Sequence, residues 1–409
     1  MKFKNKLLIV FLLIIIFMQS YAFADEIALK AKSAILVELS TGRIIYEKNS
    51  KEQKYPASIT KIMTAILVLE NCNLEDIATV SETALSNIPN GYVTCDLRVG
   101  EEITVEDLLY ALMVKSANDA AYVLAEHVAG SIDAFSDMMN IKAREIGCTG
   151  THFVNPNGIH EDRHYTTAYD MYLMAKYGMQ NETFRKLVST TEYTLHATNM
   201  YPEENRSFST TNDLIKEGSA NYYKYAIGIK TGYTTDAGEC LVAESSRDGL
   251  DFIAVVMDAG TPSVGNRFKD AIKLFDYAYE NYTLTKIKEP NTIVETIEIE
   301  NGNKETKTLN VLIDKEITII NNKSLDVNGL IPEIKYNENL LAPINKGDKI
   351  GTIKYKVDDI EYSAGLIAET DVIPKPDYSK FLIIAGIILL LIGITGSHKT
   401  RKKHTRKRR

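Results

Sequence analysis

The sequence predicts a large α+β domain, a three-layer α/β/α arrangement around an antiparallel sheet, followed by a small all-β domain and a C-terminal membrane helix. Three observations carry this expectation. Apolar strands open and close the first 285 residues, with helical patterns between and after them. Beyond residue 286 the texture changes to alternating Thr, Ile, Val, Glu and Lys. Residues 381–396 then form an almost wholly apolar, charge-free run.

In chain order, Ala34-Ile-Leu-Val-Glu-Leu39 and Arg43-Ile-Ile-Tyr-Glu47 flank Ser40-Thr-Gly42, a strand–turn–strand pattern. Pro56 opens a helical stretch through residues 62–70, apolar on nearly every face and therefore a core helix. Residues 105–128 are again helical, with an interruption at Ser116, and residues 132–146 and 167–179 read as two more helices. Residues 238–243 and 252–257 are continuous apolar strands joined by Asp248-Gly249, and an amphipathic helix spans 265–282. Within the β-rich part, Asn301-Gly302 reads as a hairpin turn.

The ends differ from the body. Lys2, Lys4 and Lys6, an apolar run over 7–18 and then Ala22-Phe23-Ala24 make residues 1–24 a secretory signal peptide. The division that follows is 25–285 for the α+β domain, 286–373 for the β-rich domain and 374–380 for a linker. Residues 381–396 are then a membrane helix and 397–409 a basic cytoplasmic tail. At about 1.5 Å per residue the apolar run is slightly short of a bilayer core, and Tyr378, Lys380 and Lys399 can snorkel at its borders. Eight Lys or Arg in the last eleven positions place that end on the cytoplasmic side, so the body lies outside the cell membrane.

Net charge is −7, but the basic residues of the two ends mask a strongly acidic body. Removing those eleven from 47 leaves 36 basic against 54 acidic residues, or −18, which argues against nucleic acid as a partner. Cys72, Cys95, Cys148 and Cys240 stand in no C-x-x-C or Cys/His cluster, so neither a metal nor another cofactor is expected, and buried free thiols are the default. His127, His152 and His160 show no ligand spacing, and His164 reads as a structural histidine.

Three short segments carry chemistry. In Ser58-Ile-Thr-Lys61 the serine and lysine share one helix face. A serine hydroxyl needs an adjacent base, and a lysine serves only if burial or a like charge lowers its pKa. In Ser116-Ala-Asn118 a second hydroxyl can relay a proton while the amide holds substrate backbone. In Lys230-Thr231-Gly232-Tyr233, beside the strand at 225–229, a cation and a hydroxyl can bind a carboxylate. Gly232 there lets substrate backbone approach, and Lys230 is also a candidate like charge for Lys61.

Each segment alone is weak, but S-x-x-K, then S-x-N, then K-T-G in this order resembles the serine β-lactamase and penicillin-binding group. The flanks Pro56-Ala-Ser-Ile-Thr-Lys61, Met113-Val-Lys-Ser-Ala-Asn-Asp-Ala-Ala121, Phe153-Val-Asn-Pro-Asn-Gly158 and His164-Tyr-Thr-Thr-Ala-Tyr-Asp170 narrow it. They resemble the low-molecular-mass D-alanyl-D-alanine carboxypeptidases, serine peptidases of the SxxK acyltransferase group. The resemblance implies a carboxypeptidase that trims peptidoglycan stem peptides through a Ser58 acyl-enzyme and is acylated by β-lactams. It implies Ser58, Lys61 and Ser116 as catalytic residues, and Asn118, Lys230, Thr231, Gly232 and Tyr233 as substrate-binding ones. Backbone N–H groups of Ser58 and Tyr233 would stabilise the oxyanion. The family usually has Gly where Ala117 stands and often His where Tyr233 stands. Asp170 and the 155–158 loop are expected near the site but outside the catalytic set.

Rival readings use the same motifs. A β-lactamase of the class with a deacylating glutamate is disfavoured, because no E-x-x-L-N lies between Ser116 and Lys230. A D,D-endopeptidase or transpeptidase remains open. A β-lactam sensor would need an intracellular output domain, for which the tail beyond Gly396 is too short.

Overall fold

The computed structural model describes residues 27–262 and 265–404, with the side chains of Lys380 and of residues 393–404 outside the description. The expected signal peptide, residues 1–24, lies outside the described residues. The chain divides into two compact units, the first ending at Tyr282 and the second starting at Thr283.

In the first unit β1 (Ser33–Glu38) and β2 (Ile44–Lys48) form the N-terminal hairpin, turning at Gly42 with φ 74°. A 3₁₀ turn (Ala57–Thr60) runs into α1 (Lys61–Asn71). Then come α2 (Val105–Tyr110), a π-helical turn (Ala111–Lys115) and α3 (Asn118–Ala129). After them stand α4 (Ile132–Ile146), α5 (Ala168–Gly178) and α6 (Glu182–Ser189). The unit closes with β3 (Ala226–Thr234), β4 (Gly238–Arg247), β5 (Leu250–Met257) and α7 (Asn266–Asn281).

The five strands form one sheet, ordered β2-β1-β5-β4-β3 and antiparallel throughout. The N-terminal hairpin joins the C-terminal strands through β1 and β5, with Ser33 opposite Met257 and Glu38 opposite Phe252. Side chains alternate across this sheet. Ile35, Val37, Ile253 and Val255 belong to the large helical core, which contains Ile62, Met63, Leu67 and Val68 of α1. The intervening Leu36, Phe252 and Val256 are equally buried, and α7 packs on β4 and β5. The sheet is thus sandwiched between helices, which accounts for strands that read as unbroken apolar runs. One of the sheet's two edge strands is β3, which carries the Lys-Thr-Gly segment.

In the second unit β6 (Ile293–Glu298), β7 (Thr308–Ile313), β8 (Glu333–Tyr336), β9 (Lys349–Val357) and β10 (Ile360–Ala368) form an antiparallel sheet ordered β6-β7-β10-β9-β8. Its core gathers Leu309, Val311, Ile353 and Leu366. Asn301-Gly302 lies in the connection of the β6–β7 hairpin, where the Gly302 N–H donates to the Ile299 carbonyl at 3.3 Å. The ladder stops at Glu298 opposite Thr308, and Asn301 with φ 62° sits inside a longer loop pinned by Asn303 and Thr306 to the backbone of Ile373. A last helix, α8, spans Ser379–His404. Among the described residues no helix is long and apolar enough to cross a membrane.

Candidate active site

Ser58 sits in the 3₁₀ turn that feeds α1. Pro56 precedes the turn without a side-chain cap, and Ala57 takes a positive φ of 49°, a conformation L-residues seldom adopt. Three residues on, Lys61 starts the α-helix, and the i,i+3 relation brings its Nζ to 3.0 Å from Ser58 Oγ.

Lys61 is fully buried. Its Nζ also lies 2.9 Å from Asn118 Oδ1 and 2.9 Å from the Asn157 carbonyl. Burial holds its pKa well below the ordinary 10.5, the nearby Lys230 charge pushes the same way, and Asp119 opposes both. A neutral amine donates two hydrogens and offers one lone pair. Of its three neighbours, the amide oxygen and the carbonyl only accept, so the lone pair is left to the one group able to donate, the Ser58 hydroxyl. Burial and the Lys230 charge favour the uncharged form, and in that form Lys61 is placed to accept the serine proton.

The second segment owes its shape to an irregular helix. The π turn ends at Ser116, a left-handed residue with φ 65° and ψ 32°. The N–H groups of Ser116 and Ala117 both donate to the Ala111 carbonyl. Such π-bulges recur at functional sites because they re-aim side chains without ending a helix. Ala117 is extended and Asn118 opens α3. The Asn118 backbone N–H and Nδ2 both donate to the Val93 carbonyl at 2.9 Å, which fixes its amide so that Oδ1 faces Lys61.

The third segment lies on β3. Lys230 is buried, its Nζ donates to the Thr231 carbonyl at 3.1 Å, and burial with the Arg267 charge lowers its pKa to about 7. Thr231 Oγ1 is 2.6 Å from Thr211 Oγ1. Gly232 is required by proximity: a Cβ there would lie 3.0 Å from the Ser58 nitrogen and 3.0 Å from the Pro56 carbonyl oxygen. Its own carbonyl accepts from Arg267 Nη1 at 3.0 Å. Ser58, Ser116, Asn118 and Tyr233 line one cleft of about 380 Å³, rimmed by Tyr92, Val93 and Ile159. Of the eight residues singled out in the sequence, Ser58, Ser116, Asn118 and Tyr233 line the cleft, Lys61 bonds Ser58, Gly232 packs against the serine turn, and Lys230 and Thr231 are buried on the same strand as Gly232.

Several supporting groups were not legible as site residues. The 155–158 loop closes over the serine turn: Gly158 has φ +83°, and a Cβ on it would come within 1.8 Å of the Ala57 carbonyl oxygen. Thr64 Oγ1 donates to the Pro156 carbonyl at 2.6 Å, and the Asn155 carboxamide oxygen accepts from Gly158 N–H at 2.8 Å. His164 is neutral, its pKa pushed down to about 3 by burial. Its Nδ1 accepts from Val154 N–H at 3.1 Å, so its Nε2–H is left to donate to Thr60 Oγ1 at 2.9 Å. The Asn-Pro-Asn-Gly run was visible, but the carbonyl it supplies to Lys61 carries no side-chain signature. Asp170 serves elsewhere, bonded to the Gly150 N–H and Thr151 hydroxyl beside the start of α5. All four cysteines are free thiols, three of them buried.

A helix-borne serine bonded to a buried lysine, beside an antiparallel sheet edge with a second lysine, defines a serine acyl-transfer enzyme. Comparison with known proteins sharpens the class. The chain belongs to the D-alanyl-D-alanine carboxypeptidase family of serine peptidases, whose model matches residues 19–261. A second model, the C-terminal domain of penicillin-binding protein 5, matches residues 282–373. The D-alanyl-D-alanine carboxypeptidase DacF of Bacillus subtilis is 36% identical over 376 residues, covering 90% of both chains. Among solved structures, penicillin-binding protein 5 from Haemophilus influenzae superposes with a TM-score of 0.64 at 26% identity, over 85% of this chain and 98% of that one. A mutant of the Streptomyces K15 DD-transpeptidase matches at 32% identity and a TM-score of 0.57, over 62% of this chain and 99% of the other.

Proposed function

We propose that this chain removes the terminal D-alanine from peptidoglycan stem peptides through an acyl-enzyme on Ser58. The observation that supports this most directly is the Lys61 amine, held among three oxygens of which only that of Ser58 can donate. Lys61 takes the Ser58 proton as Oγ attacks the carbonyl between the two D-alanines. The oxyanion is bound by the N–H groups of Ser58 and Tyr233, each such donor being worth about 3 kcal/mol. Ser116, beside the cleft, passes the proton from Lys61 to the departing amine. Lys230 and Thr231 hold the carboxylate of the leaving D-alanine, and Asn118 orients the peptide. Water then attacks the acyl-enzyme, with Lys61 again as base, and frees the shortened peptide. A β-lactam presents its strained amide to the same serine and acylates it.

The domain plan fits an exported, tethered wall enzyme that contributes to cell-wall biogenesis and cell shape. Residues 1–24 direct export and 25–285 carry the catalysis. Residues 286–373 form the β-rich domain, and 374–380 link it to a membrane anchor over 381–396, followed by the cytoplasmic tail 397–409. In this reading the catalytic domain lies on the outer face of the cell membrane.

The test is incubation with a stem pentapeptide. Wild-type protein is expected to release one D-alanine per peptide, and Ser58→Ala and Lys61→Ala to release none above background. Release of no D-alanine by wild type, with cross-linked dimers cleaved instead, would favour the endopeptidase reading. Transfer of the acyl group to an added amine would favour the transpeptidase reading.

A further inference from the structure

Far from the cleft, the opposite ends of two catalytic helices converge on a second cluster. α1 starts at Lys61 and ends at Asn71, with Cys72 as its C-cap. α3 starts at Asn118, and its last turn carries His127. The two helices pack together. Their first residues meet through the Lys61–Asn118 bond at the active site. Their last turns bring Cys72 and His127 together with Asp76, which lies in the loop after α1.

One ligand atom from each of these three residues, Sγ, a ring nitrogen and a carboxylate oxygen, lies within 4.8 Å of the others. The Asp76 carboxylate is oriented by the Asn73 N–H at 2.8 Å, and its backbone carbonyl accepts from Val105 N–H at 2.9 Å. Sequence spacing concealed this set, because His127 reaches the other two only across the helix pair.

The geometry points to a binding site for a divalent transition-metal ion of the zinc type on Cys72, Asp76 and His127. Metal–ligand distances of about 2.0 to 2.3 Å in a tetrahedron separate ligand atoms by about 3.3 to 3.6 Å. Side-chain rotation of roughly an ångström therefore closes the set around an ion. A thiolate, an imidazole and a carboxylate together suit zinc and its first-row neighbours, not calcium or magnesium, which take oxygen ligands. Cys72 and Asp76 are half-buried and His127 is exposed, so the fourth position is open to water. Binding releases the Cys72 proton. The ion clips together the distal ends of the helices that carry Lys61 and Asn118, and so stabilises the helix pair without touching the reacting groups.

The test is calorimetric titration of metal-free, full-length protein with zinc under reducing conditions, paired with cobalt as a spectroscopic probe. Wild type is expected to bind one equivalent, to show a thiolate-to-cobalt charge-transfer band, and to gain several degrees in Tm with excess zinc. Cys72→Ser, Asp76→Asn and His127→Gln should each weaken binding at least tenfold, and Cys72→Ser should erase the charge-transfer band. Metal-free variants should still be acylated by penicillin at the wild-type rate, which separates loss of the metal site from loss of the fold. Undetectable binding to wild type, or binding of equal strength in all three variants, would overturn the assignment.

Discussion

Gly232→Ala probes the seam between the lysine-bearing strand and the serine turn. The added Cβ would lie 3.0 Å from the Pro56 carbonyl oxygen, 3.0 Å from the Ser58 nitrogen and 3.1 Å from the Ile59 nitrogen. All three are backbone atoms, so no flexible side chain can yield. Ordinary contact begins near 3.4 Å, so strand and turn must separate by a few tenths of an ångström. β3 is held by its full ladder with β4 and by Arg267 on the Gly232 carbonyl, so the serine turn is the part expected to move. That displaces the Ser58 N–H and Oγ from the Tyr233 N–H and lengthens the contacts that would hold the oxyanion. Losing most of one such donor costs about 3 kcal/mol, or ~10²-fold in acylation rate. Overpacking a tight backbone seam costs about 1–3 kcal/mol of stability. The assay is the second-order rate of acylation by a chromogenic cephalosporin, alongside Tm. An acylation rate within twofold of wild type, with Tm unchanged, would refute the idea that this seam aligns the site.

Further expectations follow from other contacts. Thr211→Val removes the hydroxyl 2.6 Å from Thr231 Oγ1; a lost hydrogen bond of about 1 kcal/mol should raise KM for the peptide roughly fivefold and leave kcat nearly unchanged. kcat/KM should rise with pH as Lys61 deprotonates below its ordinary range, then fall as Lys230 loses its proton near 7. Arg267→Gln removes the like charge behind Lys230 and should move the alkaline limb upward, as read in a full pH profile. His164 is neutral in the fold and titrates at about 3 instead of 6.5. The unfolded chain therefore binds the extra proton first, and stability should fall as pH drops from about 6.5 toward 3, by up to about 5 kcal/mol. His164→Asn should flatten that acid slope in denaturant titrations, though it lowers stability at neutral pH.

The side chains that do chemistry are legible in the sequence, and the backbone that aims them is not. Ser58 and Lys61 are legible because helical spacing alone puts them on one face. The left-handed conformations of Ala57 and Ser116 were not, since neither position is a glycine. The Asn157 carbonyl was invisible for a similar reason: any residue supplies one. Thr211 and Arg267 reach the site only through tertiary packing on β3. Local patterns gave the hairpin β1–β2 and the strand pair β4–β5, but the β1–β5 pairing that joins them spans most of the unit. The helix Glu182–Ser189 and the short hairpin Glu192–Thr194 with Ser207–Ser209 lie in a polar stretch that suggested no element. Asn301-Gly302 marks the β6–β7 hairpin connection, but the length of that loop was not legible, because it is set by ties to the distant Ile373.

Reaction at Ser58 driven by an uncharged Lys61 is most directly tested by mass spectrometry of the protein after brief exposure to benzylpenicillin, with peptide mapping of the adduct. Wild type should gain one penicilloyl group, located on the peptide containing Ser58, and Lys61→Ala should gain it at least a thousandfold more slowly. An adduct on any other residue, or equal labelling of the Lys61→Ala protein, would contradict the mechanism.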